Sequence, residues 1–157
     1  MLKSYALAFL ISMVPLIELR GGVPVAMGYG IPAVNAIALC AIGNMLPMPF
    51  ICLFARKVLT WGSTKPYIGS LFSKLLTKGE KAGQKLANTA SRKGLFIALL
   101  LFVGIPLPGT GAWTGTLAAS FLNMGIKSTT LAVSLGVIIA GIIMGLVSMA
   151  GLHIFGL

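Results

Sequence analysis

Two stretches of this chain carry almost no charge, and each is broken by proline and glycine where a continuous membrane helix would tolerate neither. Residues 4–55 contain one acid, Glu18, and one base, Arg20. Residues 94–157 contain one full charge, Lys127. About 20 apolar residues in a helix cross a bilayer core about 30 Å thick, so either stretch is long enough to span. Mean hydropathy is +1.01, and only 9% of residues are charged. A soluble domain of 157 residues could bury a sizeable core, but it could not solvate this much apolar surface. The sequence therefore predicts an all-α integral membrane protein.

The N-terminus imitates a signal peptide, with Lys3 ahead of an apolar run over residues 5–16. No small-residue cleavage site follows, because cleavage after Ala26 would place Pro24 three residues before the cut. The segment is expected to be retained. Cys40 and Cys52 both fall in apolar helix and are expected to be small buried hydrophobes. The lone His153 has no sequence partner for a metal, so neither a metal nor any other cofactor is expected.

The net charge of +10 is concentrated. Nine of the twelve Lys and Arg residues lie within residues 56–93, against one acid, Glu80. A basic stretch between membrane segments and without interleaved aromatics does not read as a nucleic-acid site. It reads as a cytoplasmic connection under the positive-inside rule, in a bacterial-type inner membrane. Lys74, Lys78, Lys81 and Lys85 recur at helical spacing, with Ile68, Leu71, Leu75, Ala82 and Leu86 on a neighbouring face. That pattern predicts a basic amphipathic helix lying on the inner membrane surface against anionic lipid.

The halves on either side of this connection share an order of elements. The first has a short arm over residues 3–14, a break over 15–24, an arm over 25–30 and a long apolar helix over 32–59. The second has an arm over 94–104, a break over 105–111, an arm over 112–125 and a long helix over 128–157. The domain reading is one membrane unit, with repeats over 1–59 and 94–157 joined by the basic connection over 60–93. An arm of 11 residues is about 16 Å long at 1.5 Å per residue, half the hydrocarbon core. Each break then falls near the midplane, and the chain either crosses there as a discontinuous helix or turns back. Lys127 favours turning back. The expected architecture is two inverted repeats, each a re-entrant helical hairpin plus a full transmembrane helix, a plan that puts a transport site at the midplane.

Broken backbone at membrane depth must line a cavity or be covered by protein. The break residues are Pro15, Gly21, Gly22 and Pro24 in the first half, and Pro106, Pro108, Gly109 and Gly111 in the second. Short helices that start at a break point N–H groups and a positive dipole end toward it, suited to an anion. Thr110, Trp113 and Thr114 add polar groups beside the second break. Gly141 and Gly145 read instead as helix-packing glycines.

A charge at the bilayer centre costs about 2.5–3.5 kcal/mol on insertion scales, so Glu18 and Arg20 are read as functional. Burial disfavours the Glu18 carboxylate and Arg20 favours it, two opposed effects that suit a proton-coupled switch. In an α-helix residues i and i+2 do not face one another. The expectation is therefore an extended stretch over 15–24, with Arg20 free to bind Glu18 or an anionic substrate. A static ion pair that fixes the hairpin tip is the alternative. Asn44, ahead of Pro47, is either a further site residue or a partner for a broken backbone group.

The runs Glu-Leu-Arg-Gly-Gly-Val-Pro (18–24), Gly-Tyr-Gly-Ile-Pro (28–32), Gly-Asn-Met-Leu-Pro-Met-Pro (43–49) and Ile-Pro-Leu-Pro-Gly-Thr-Gly-Ala-Trp (105–113) together resemble the prokaryotic putative small multidrug export proteins. The arrangement is more distantly similar to the DedA membrane protein superfamily, which pairs re-entrant helices with acid and Arg motifs and is implicated in moving lipids. This second break has Thr and Trp in place of an Arg. The resemblance implies a transporter. The leading expectation is a secondary transporter or lipid translocase for a small amphiphilic or anionic substrate, coupled to protons through Glu18. The other is a non-transporting structural or assembly membrane protein. No enzyme is expected, since one acid and no nucleophile–base pair supply no catalytic set. Two spans and two hairpins enclose little, so a homo-oligomer is expected, a dimer first.

Overall fold

The computed structural model describes residues 2–15 and 17–155, without the side chains at 55, 56, 75, 79, 82–89 and 155. Among the described residues there are eight helices: α1 (Leu2–Met13), α2 (Glu18–Gly28), α3 (Ala33–Met45), α4 (Met48–Ser63), α5 (Gly69–Thr89), α6 (Arg92–Gly104), α7 (Ala112–Phe121) and α8 (Ile126–Phe155). No strand occurs among them.

Small residues dictate how these helices meet. A Cβ on Gly22 of α2 would lie 3.0 Å from both Ser12 of α1 and Cys40 of α3. One on Gly43 would lie 2.8 Å from the Phe9 carbonyl. Residues 8–12 thus meet α2 at Gly22 and α3 at 40–43, so α1 folds back on α2 and runs alongside α3. The second half repeats this pattern. Gly115 of α7 has no room for a Cβ because Val103 and Leu99 of α6 lie within 2.5 Å and 3.3 Å of that point. Gly136 of α8 abuts Val103 and Leu100, while Gly104 abuts Ile139. So α6 and α8 pack directly and run in the same direction, and α7 returns alongside them.

The core these contacts enclose is built from Ala8, Val23, Ala26, Ala36, Cys40, Val103, Ala119, Val133, Val137 and Ala140. Close approach of small residues is the packing mode of helices in lipid, where burial of apolar surface gives no net drive. Gly141 and Gly145 fit that reading, since both lie against Ile37 of α3.

The stretches that meet the length and hydropathy of a span are 33–54, running through α3 into α4, and 126–154, and only 33% and 39% of their most apolar windows is buried. Ile42, Leu46, Leu131, Ile138, Ile142 and Leu146 point outward. The core helix of a soluble protein would hide that face. This is a membrane protein.

Three sequence expectations are corrected. Residues 15–24 are not an extended break. Helix α2 begins at Glu18, and Gly21, Gly22 and Pro24 lie inside it. Pro24 is seven residues into that helix, where its missing N–H leaves the Arg20 carbonyl without its i+4 donor; tight packing of Gly22 holds the helix together regardless. The long helix over 32–59 is divided at Leu46–Pro47 into α3 and α4, and α4 continues to Ser63. Pro47 and Pro49 delete the N–H donors on either side of Met48. The second-half arm ends at Phe121 rather than 125, and α8 begins at Ile126 rather than 128.

The basic connection forms α5, packed against α4 with Phe72 over Gly62. Lys74, Lys78 and Lys81 are exposed, and so are Ile68 and Leu71. Lys85, Leu75, Ala82 and Leu86 lie outside the described side chains.

Candidate functional site where the two breaks meet

The second break is set by its prolines. The residue before a proline is driven out of the α region, and Ile105, before Pro106, adopts φ −88°, ψ 114°. The chain leaves α6 there, passes Pro108, and turns on Gly109 (φ +83°) and Gly111 (φ +135°) into α7. Both angles fall where a Cβ is disfavoured. At Gly111 the reason is also steric, because a Cβ would overlap the Glu18 carboxylate.

Glu18 opens α2 and is 3% exposed. Its backbone is left-handed at φ +52°, a conformation that costs a non-glycine residue of order 1–3 kcal/mol. The carboxylate accepts from two orphan donors at the start of α7: Ala112 N–H at 3.2 Å to Oε2 and Trp113 N–H at 3.0 Å to Oε1. Hydrogen bonds to a charged group are worth about 1.5–3 kcal/mol each. The positive end of α7 adds about 0.3–1 kcal/mol. Two such bonds outweigh the backbone strain, which accounts for the strained residue persisting.

Arg20, one turn into α2, reaches the same loop from the other side. Its guanidinium donates to the Leu107 and Thr110 carbonyls and, at 2.7 Å, to Thr110 Oγ1. Thr110 Oγ1 in turn bonds the Ile105 and Leu107 carbonyls at 2.9 and 2.8 Å. A third tie runs back, from Trp113 Nε1 to the Met13 carbonyl at the end of α1, 3.2 Å. The expectation of an Arg20 free for substrate is therefore corrected: its Nη1 and Nη2 groups bond three acceptors of the second break. Nor do Glu18 and Arg20 serve each other as hydrogen-bond partners. The acid takes the donors of the opposing break and the base takes its acceptors. Helical geometry explains the division, since residues two apart project in different directions.

Beside this latch lies an apolar cavity of about 730 Å³. Met13 and Pro15 form one wall, Trp113, Thr114 and Leu117 of α7 another, and Phe50, Phe54 and Val58 of α4 a third. The α4 residues recur every four positions, one face of a helix, and that face is well exposed. The cavity is thus open toward the lipid side of α4. Thr114 Oγ1 is buried without a partner on its wall.

Of the residues singled out from sequence, Glu18, Arg20, Thr110 and Trp113 converge, Thr114 and Pro15 line the adjoining cavity, and Gly109 and Gly111 shape the loop. Asn44 makes none of these contacts. It is 1% exposed, and neither Oδ1 nor Nδ2 has a partner, so it does not satisfy the backbone freed by Pro47. Sequence reasoning missed Met13 and the α4 aromatics. The Thr116 hydroxyl of α7 is also buried without a partner. The spacing of Phe50, Phe54 and Val58 was the available signal for the α4 wall.

A family model described as putative small multi-drug export protein matches residues 18–143. The chain belongs to that family. The match begins at Glu18 itself and takes in α2, the basic helix, the second break and the α4 and α7 walls of the cavity. No curated protein and no solved structure matches the chain.

Proposed function

We propose that this protein is a membrane transporter that moves small amphiphilic molecules through the apolar cavity beside the Glu18–Arg20 latch. The family description supports export. The observation that carries the mechanism is the cross-connection: Glu18 and Arg20, on the first half, hold the start of α7 and the loop leading into it, and α7 forms one wall of the cavity. Each half is a re-entrant hairpin with a spanning helix, and the halves enter from opposite faces as inverted repeats, so that their tips meet at the midplane. Opening requires the tips to part. Protonation of Glu18 would remove the charge that two amides and the α7 dipole engage, leaving one carbonyl-type acceptor for two donors. A proton thus trades against closure. An apolar cavity and an Arg20 bonded to the second break favour an amphiphile over a purely anionic substrate. The basic helix α5 faces the cytoplasm on the inner membrane, and the working unit is a dimer.

The second reading, a non-transporting structural protein, draws on the same latch, because its acid and its base both bond groups within the chain. Reconstituted protein separates the two. A lipophilic fluorescent amine should cross proteoliposomes under an imposed proton gradient faster than empty liposomes. Glu18→Gln should abolish the gradient dependence, and Thr114→Leu, which fills the cavity wall, should slow movement while leaving the latch intact. Movement no faster than in empty liposomes, with wild-type protein shown folded, would establish the structural reading.

A further inference from the structure

A second cavity, of about 550 Å³, lies at the opposite end of the second half, where α6 and α8 begin. Its walls include Arg92 and Leu95 from α6, Leu122 and Asn123 from the turn after α7, and Lys127 and Ser128 from α8. The parallel course of α6 and α8 places residues 92 and 127 at one level, although 35 positions separate them in the chain. The hairpin through α7 returns Leu122 to that level as well. No carboxylate lines the cavity. The chain's two acids are elsewhere, Glu18 at the latch and Glu80 on α5.

The composition of the walls is divided. Arg92 and Lys127 are exposed at the rim, and Ser128 adds a half-buried hydroxyl. Leu95 is buried below them, with Leu122 and Met124 half-buried. The apolar span 126–154 begins at this level, so the cavity sits where hydrocarbon gives way to headgroups. Two cations over an apolar floor at that depth have the chemistry of a phosphate diester carrying acyl chains. Arg offers a planar fork for phosphate oxygens and Lys a mobile point charge. Lys127 is also the one full charge between residues 94 and 157.

We propose that this cavity is a binding site for the phosphate of an anionic phospholipid, held by Arg92 and Lys127 with Ser128. It is distinct from the cavity at the latch and from the diffuse attraction of the α5 lysines, and it does not depend on the transport reading.

The test uses the full chain in detergent micelles, with lipid adducts counted by native mass spectrometry during titration with phosphatidylglycerol or phosphatidylcholine. Near-surface Lys and Arg contribute about 1 kcal/mol each toward anionic lipid, so Arg92→Gln with Lys127→Gln should weaken phosphatidylglycerol binding by about tenfold or more. Phosphatidylcholine binding should change little. Lys74→Gln with Lys78→Gln, which removes equal charge from α5, should have a clearly smaller effect. Arg92→Lys with Lys127→Arg should retain binding, which controls for folding. Inorganic phosphate is the competing arm: loss of the lipid adduct at millimolar phosphate identifies a site for free phosphate, and an unaffected adduct identifies the lipid headgroup. An equal loss from the α5 pair, or no loss from the Arg92 and Lys127 pair, overturns the proposal.

Discussion

Glu18 and Arg20 were legible as an exceptional pair because charge is so scarce around them. What they bind was not legible. Sequence proximity suggested one partnership, whereas the structure gives each a different set of partners some 90 residues away. This changes the expected behaviour of mutants. For a mutual ion pair, removing one member of a buried pair costs about 3–5 kcal/mol and removing both relieves the stranded charge. Here Glu18→Gln leaves one amide with a neutral acceptor and the other facing an NH2 donor, and Arg20→Gln leaves carbonyls of the second break without donors. The double variant should therefore not be rescued. Thermal unfolding in detergent should show it at least as destabilised as the worse single variant. A double variant more stable than both singles would restore the ion-pair reading.

At the scale of elements, proline position was a better guide than proline presence. Pro106 and Pro108 end α6 because nothing holds the chain in a helix across them. Pro24 does not end α2, because Gly22 packs that helix onto α1 and α3. The division at Leu46–Pro47 lay in the sequence as Pro47 and Pro49, but an apolar run hides it, since hydropathy does not register a lost hydrogen bond. The basic helix was the most legible element, because Lys spacing and turn residues 64–68 mark it without tertiary information. Its side of the membrane is the proposal to test. With Cys40 and Cys52 replaced by Ala, a Ser73→Cys variant in intact cells should resist an impermeant thiol reagent and react once the membrane is opened. Labelling from outside would reverse the orientation.

At the scale of the molecule, the exposed apolar faces of α3, α4 and α8 leave ample surface for lipid or for a second copy. The small-residue pair Gly141 and Gly145 is already spent on Ile37 within the chain. A dimer would have to use another face, and the open α4 wall of the 730 Å³ cavity is the place where a partner would complete the enclosure. Mass measurement in a gentle detergent should find twice 16.3 kDa; a monomer that still moves substrate would show that one chain suffices. By itself the sequence determined a helical membrane protein in two interrupted halves, with a basic helix between them and one buried acid and base. Those follow from hydropathy, from proline's missing donor and from the cost of charge in lipid, all of which act locally. Only the tertiary structure decided that the halves lock through Glu18 on the α7 amides and Arg20 on the loop carbonyls. It alone brought Arg92 level with Lys127. Hydrogen bonds to backbone carry no residue-type signature, and the direction of one helix beside another is fixed by packing among small side chains that any apolar sequence could supply.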